Sequence, residues 1–144
     1  MNVTYKNWFG GFSMRGEFGG SIYNNIHSAN GTFQSINGTT GSLNNLSSSY
    51  YDDQIVKSNE RQLLSDHYLE KADFLRMDNI NIGYKFGKLK FTKNRVGLNA
   101  AFTVNNVFVM TQYSGQDPEV SNGIDNNIYP RPRVYSLNLT FDFN

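Results

Sequence analysis

Residues 133–144 read RVYSLNLTFDFN, and the fold of the whole chain turns on how this stretch is read. From Tyr135 to Phe143 every second residue is apolar (Tyr135, Leu137, Leu139, Phe141, Phe143), with Ser136, Asn138, Thr140 and Asp142 between them. Successive side chains of a strand point to opposite faces. A strict period of two therefore makes one strand with an uncharged apolar face and a polar face. Two settings suit it. One is a half-buried soluble sheet. The other is a membrane barrel, with the apolar face toward lipid and Tyr135 and Phe143 at the two interfaces.

The same alternation recurs upstream. In FLRMDNINIGYKF, Ile80, Ile82, Tyr84 and Phe86 face one way, and Asn79, Asn81, Gly83 and Lys85 the other. In RVGLNAAFTVNNVF, Val96, Leu98, Ala100, Phe102, Val104 and Phe108 oppose Gly97, Asn99, Ala101, Thr103 and Asn105. FGGFSMRGEFGGSIYNN sets Phe12, Met14, Phe18 and Ile22 against Ser13, Arg15, Glu17, Ser21 and Tyr23. Its five glycines suggest bends or close backbone approach. Val3 to Lys6 is short and β-prone, with a turn at Asn7-Trp8.

Between about 24 and 72 the periodicity breaks down, and Asn, Ser, Gly and Thr mark turns rather than core. Short helical turns fit around 42–51 and 59–67. The expected layout is four antiparallel strands at about 9–24, 73–86, 95–108 and 133–143. They are joined by a long loop (25–72), a short basic turn (87–94) and a second long loop (109–132). Loops that are long on one side and short on the other are the habit of a membrane barrel. Strands of ten or more residues, at about 3.3 Å each, are long enough to cross its apolar band of about 25 Å at a tilt. Four strands close no barrel, since even small bacterial ones have about eight. The chain is thus expected to be the C-terminal part of a larger wall, and the absence of a signal peptide in MNVTYKNWFG agrees with that expectation.

Composition points the same way. The 144 residues carry a net charge of +1, no cysteine, and 15% aromatics with nine Tyr and eleven Phe. Near-neutral charge gives no reason to expect nucleic acid as a partner. Without cysteine there is no disulfide framework and no thiolate metal site. A mean hydropathy of −0.53 argues against transmembrane helices, and no apolar run approaches the roughly 20 residues they need. A barrel dilutes its apolar residues by alternation and is not excluded. The fold class read from the sequence is therefore all-β.

At this point a family resemblance enters. ADFLRMDNINIGYKF, LNAAFTVNNVFVMTQYSGQDPEV and GIDNNIYPRPRVYSLNLTFDFN, in that order, resemble the C-terminus of SusC/RagA-type TonB-dependent outer-membrane transporters of Bacteroidota. The resemblance is specific from about Ala72 to Asn144 and extends over FSMRGEFGGSIYN. It implies a barrel of about 22 strands around a plug, this chain supplying the last four. It implies energised import of oligosaccharides or peptides, a SusD-like surface lipoprotein as lid, and TonB pulling on the plug. The plug and the remaining strands lie outside the chain. The last strand, Tyr135 to Phe143, would meet outer-membrane lipid. Its terminal aromatic suits the signal read by the barrel-assembly machinery.

No catalytic constellation stands out, so no enzyme activity and no cofactor is expected. His27 and His67, forty residues apart, read as separate solvated loop histidines. There is no G-x-S-x-G and no H-E-x-x-H. Asp52-Asp53 and Asp117, Glu119 and Asp125 could hold a hard cation. Their spacing fits no EF-hand, so solvated charge is the preferred reading and no metal is assigned. In YPRPR, Pro130 and Pro132 hold Tyr129 and Arg131 extended ahead of the last strand. Arg131 and Arg133 could pair with Asp117 or Glu119. Tyr50, Tyr51 and Tyr113 are the loop aromatics that could touch a substrate or lid. The rival reading is a secreted soluble β-sandwich, such as a carbohydrate-binding module with Tyr-rich loops. It needs a second sheet to cover the apolar face, and the sequence offers no strands for one.

Overall fold

A computed structural model describes residues 1–31, 48, 51, 64–93, 95–126 and 129–143. The elements run β1 (Asn2–Tyr5), β2 (Trp8–Glu17), β3 (Ser21–Asn24), α1 (Asn25–Asn30), β4 (Leu69–Lys71), β5 (Phe74–Lys88), β6 (Val96–Thr111), β7 (Ile124–Asp125) and β8 (Val134–Phe143). Single 3-10 turns lie at Asp66–Tyr68 and Lys90–Thr92. Strands dominate the described residues, beside the six-residue α1, and the fold class is all-β.

The chain divides into two compact units. The sheet unit comprises Met1–Gly16, Leu75–Met110 and Arg131–Asn144, and the loop unit comprises Glu17–Phe74 and Thr111–Pro130. Where alternation marks one strand over 9–24, the structure has two. The ten-residue β2 ends at Glu17, and β3 joins a different sheet after Phe18–Gly20. Gly19, at φ 87, sits in the left-handed region that an L side chain avoids, so glycine chemistry ends the strand there.

The sheet unit is one five-stranded sheet in the order β1-β2-β5-β6-β8. It therefore has one strand more than the four read from the sequence. The added strand, β1, pairs with β2 from Asn2↔Gly11 to Tyr5↔Trp8 around the Lys6-Asn7 turn. Contacts run in opposite senses along β2 and β5: Lys85 N–H donates to the Asn7 carbonyl at 2.9 Å, and farther along the ring of Phe9 lies against Gly83. Only glycine fits at 83, because a Cβ would run into that ring. At the other end of β5, Leu89 N–H donates to the Val96 carbonyl at 2.8 Å and closes the turn into β6. β6 and β8 pair antiparallel over ten residue pairs, from Val96↔Phe143 to Asn105↔Val134. That ladder stops where Asn106 takes φ 54. Pro130 and Pro132 have no N–H to continue it. The Asn106 amide instead donates to the carbonyls of Arg131 (2.7 Å) and Pro132 (3.3 Å), while its oxygen accepts from the buried Arg76 (3.2 Å).

β5 and β6 have 15 and 16 residues, three times an ordinary strand and about 50 Å at 3.3 Å per residue. In this meander β2 ends, β5 begins, β6 ends and β8 begins at one end of the sheet, so the two long connections leave from the same end.

The loop unit has its own three-stranded sheet, order β4-β3-β7, with β3 antiparallel to β4 and parallel to β7. α1 is capped by Asn24, whose side-chain oxygen accepts from His27 N–H at 2.9 Å. Ile22, Ala72 and Tyr113 form the core, with Val120 packed against them.

Candidate functional site

Directly opposite residues in a ladder share a face, so pairing settles which side chains form one surface. Tyr135, Leu137, Leu139 and Phe141 lie opposite Val104, Phe102, Ala100 and Leu98, and Phe143 lies opposite Val96. At the other edge of the sheet, Val3 and Tyr5 lie opposite Gly10 and Trp8. Ile80, Ile82, Phe102 and Val104 line one apolar groove with Met1, Val3, Tyr5, Trp8 and Phe12, which joins the two halves into a single face. This face is open. Leu137 is 67% exposed, Leu139 52% and Phe141 50%. Among the described residues, the sheet unit holds no buried apolar side chain at all.

The opposite face is polar and sparsely bonded. Asn99 donates to Asp142 at 3.1 Å, and the Lys85 ammonium lies 5.8 Å from the centre of the Phe9 ring. Between β2 and β5, Arg15 Nε reaches both carboxylate oxygens of Asp78, at 2.9 and 3.1 Å.

The second candidate is the polar centre of the loop unit. Glu70 on β4 accepts three hydrogen bonds from two residues of the YSGQDPEV stretch and of β3. Ser114 N–H donates at 2.8 Å, Ser114 Oγ at 2.7 Å and Asn24 Nδ2 at 2.9 Å. Burial alone would raise the pKa of Glu70, but these donors and the nearby His27 outweigh it and hold the carboxyl below its usual range. Beside it, the Tyr113 hydroxyl donates to Asp125 at 2.7 Å. Burial first, and then the Asp125 carboxylate, push that phenol well above its ordinary value. Gly115 is required here, since a Cβ would meet the Tyr113 ring.

This geometry revises several expectations drawn from the sequence. Tyr113, taken as a substrate or lid contact, is 5% exposed and committed to Asp125, so it holds the loop together from inside. Tyr51 is 72% exposed. Tyr50 lies outside the described residues. Asp125 is buried rather than solvated. His27 and His67 are not solvated apart: their rings lie 6.3 Å from each other, each edge-on to Tyr68. Among the described residues no group of three or more His, Asp or Glu is arranged to hold a metal ion. The five apolar residues of the last strand, Tyr135, Leu137, Leu139, Phe141 and Phe143, share one open face.

Sequence reading missed the Glu70–Ser114–Asn24 network and the segregation of charge. The sheet unit carries ten of the thirteen Lys and Arg but only Asp78 and Asp142 of the twelve acidic residues. A net charge of +1 conceals this, and counting charge by segment would have found it.

No family model matches the chain. It is 34% identical over 146 residues to the TonB-dependent receptor SusC of Bacteroides thetaiotaomicron, an alignment covering 98% of the chain and 14% of SusC. It is also 34% identical over 102 residues to the TonB-dependent receptor P39 of Formosa agariphila, covering 62% of the chain and 10% of that protein. The chain thus spans about one seventh or less of the curated relatives it matches. Solved structures of the RagAB peptide importer, in closed-closed and open-open states, superpose with a TM-score of 0.72 at 21% identity. Those matches take in 96% of this chain and 16% of the solved one. At that identity the likeness speaks to the fold.

Proposed function

The chain belongs, as a segment, to the SusC/RagA-type TonB-dependent transporters, and from that premise we propose that its sheet is part of the wall of an outer-membrane barrel of about 22 strands. The observation that carries this is the open apolar face. A soluble sheet hides such a face against a second layer, whereas here the sheet unit buries no apolar side chain among the described residues. Membrane barrels are built this way, apolar outward, with the polar face of Ser136, Asn138, Thr140 and Asp142 toward the lumen. A soluble sandwich calls for a second sheet, for which the sequence shows no strands; the structure has one, β4-β3-β7, but among the described residues the apolar side chains of the sheet unit stay unburied.

The wall serves energised nutrient import and no catalysis. Oligosaccharides or peptides are the substrate classes. The similarity to the TonB-dependent receptor SusC supports nutrient import, while the substrate range is what the family resemblance implies. A SusD-like lipoprotein is the partner at the long-loop side, where exposed Tyr51 would meet lid or substrate, and TonB acts on the plug outside this chain. The barrel-assembly machinery would insert the wall using the strand Tyr135–Phe143.

The chain has no cysteine, so single cysteines placed along 135–141 can carry an environment-sensitive dye. With the intact transporter in brominated-lipid vesicles, quenching should alternate, strong at 137, 139 and 141 and weak at 136, 138 and 140. A flat profile would overturn the wall.

A further inference from the structure

The short-turn end of the five-stranded sheet carries two features that a bare wall does not need. The first is aromatic. Tyr5, Trp8 and Phe86 are exposed at this end, Trp8 and Tyr84 meet edge-on at 4.8 Å, and Tyr84 and Phe86 at 4.9 Å. The second is charge. Lys6 sits in the β1–β2 turn, and Lys88, Lys90, Lys93 and Arg95 in and around the β5–β6 turn, all exposed. No Asp or Glu occurs from 79 to 116, and none of these five cations is in an ion pair among the described residues. The nearest acid in the ladder, Asp142 opposite Gly97, is already an acceptor for Asn99.

Five cations gathered without counter-charge repel one another, and the arrangement is favourable only where anions are supplied from outside. Where they would come from is set by the rings. Tyr and Trp, each with an apolar body and a polar tip, settle at the headgroup level of a bilayer. Lys reaches past such rings with its ammonium in the polar layer while its stem stays apolar, and the Lys6 ammonium lies 5.4 Å from the centre of the Tyr5 ring. We propose that this end of the sheet binds the phosphate headgroups of acidic phospholipids. Lys6, Lys88, Lys90 and Lys93 meet the phosphates, and Tyr5 and Trp8 pack against the glycerol and upper acyl chain. The inference rests on the barrel-wall reading.

The test reconstitutes the intact transporter with a phospholipid bearing a photoactivatable acyl chain, in one arm with a phosphatidylglycerol headgroup and in the other with phosphatidylcholine. Labelled peptides are then read by mass spectrometry. Both lipids should label the β8 peptide equally, while phosphatidylglycerol should label the 84–95 peptide preferentially. That preference should fall about fivefold for each cation removed in the series Lys88→Gln, Lys90→Gln and Lys93→Gln. Equal labelling of the 84–95 peptide by both lipids would overturn the headgroup site alone. A preference that survives the triple substitution would do the same. No labelling of β8 by either lipid would overturn the wall as well.

Discussion

The two units of the chain are built inside out relative to each other. The loop unit holds every buried apolar residue among those described: Ile22, Tyr68, Ala72, Phe74 and Tyr113. It is stitched by partly exposed polar bonds at Glu70 and a buried one at Asp125. The sheet unit is richer in apolar residues yet hides none of them, and its regularity rests on backbone ladders and strict alternation. A unit with an interior supplies its own apolar environment by folding. One without must borrow that environment from outside, and its sequence need only say which face is which. The contrast predicts that the two units fail for different reasons when altered.

The largest effect belongs to the open face. If the sheet is the proposed wall, Leu139→Arg places a charge at the middle of the bilayer, at a cost of about 2–4 kcal/mol. Asn138→Arg, one residue away on the polar face, should stay within about 0.5 kcal/mol. Urea titration of the transporter folded into vesicles, read by its heat-sensitive gel mobility, measures both. Equal costs at 138 and 139 would erase the distinction between the faces.

Next comes the interior of the loop unit. Asp125→Ala leaves the Tyr113 hydroxyl buried without its acceptor, at a cost of about 1–3 kcal/mol. Amide exchange should quicken at 21–24 and 113–125 while β6 and β8 stay protected. Quickening of the sheet ladder to the same degree would show the units to be one cooperative body.

Acid should act on the loop unit too. The folded state holds Glu70 below its ordinary pKa of 4.5, so its contribution is whole above that value and is lost as pH falls through the lower folded one. Protection of Ser114 and Asn24, measured against the intrinsic exchange rate at each pH, should therefore fall at acid pH. Glu70→Gln should already show the lower protection at neutral pH and lose the acid dependence. An unchanged acid profile in that variant would place the titrating group elsewhere.

This same contrast governed what the sequence made legible. The sheet announces itself locally, because each strand repeats its pattern every second residue. Residues 133–143 read as a strand and the structure has Val134–Phe143. The misses follow the same logic. The break at Phe18–Gly20 is invisible to alternation, since Phe12, Met14, Phe18 and Ile22 keep one parity straight across it. The loop unit is held by partners far apart in the chain, Glu70 and Ser114 being 44 residues from each other, and no local period encodes such a bond. Tyr113 therefore looked like an exposed loop aromatic, and His27 and His67 like strangers.

The smallest effect sharpens the comparison most. Arg15 and Asp78 make a close ion pair in the sheet unit, with Nε 2.9 and 3.1 Å from the two carboxylate oxygens. Their side chains are nevertheless 43% and 31% exposed, so water screens them and holding both in place costs side-chain entropy. Arg15→Ala should cost less than about 1 kcal/mol, and raising the salt to about 1 M should shrink that further. A polar bridge of good geometry would then count for less in the sheet than one leucine facing the right way. The same urea titration at low and high salt decides it. A cost near that of Leu139→Arg would mean that side-chain bridges, and not the environment of the apolar face, hold the strands together.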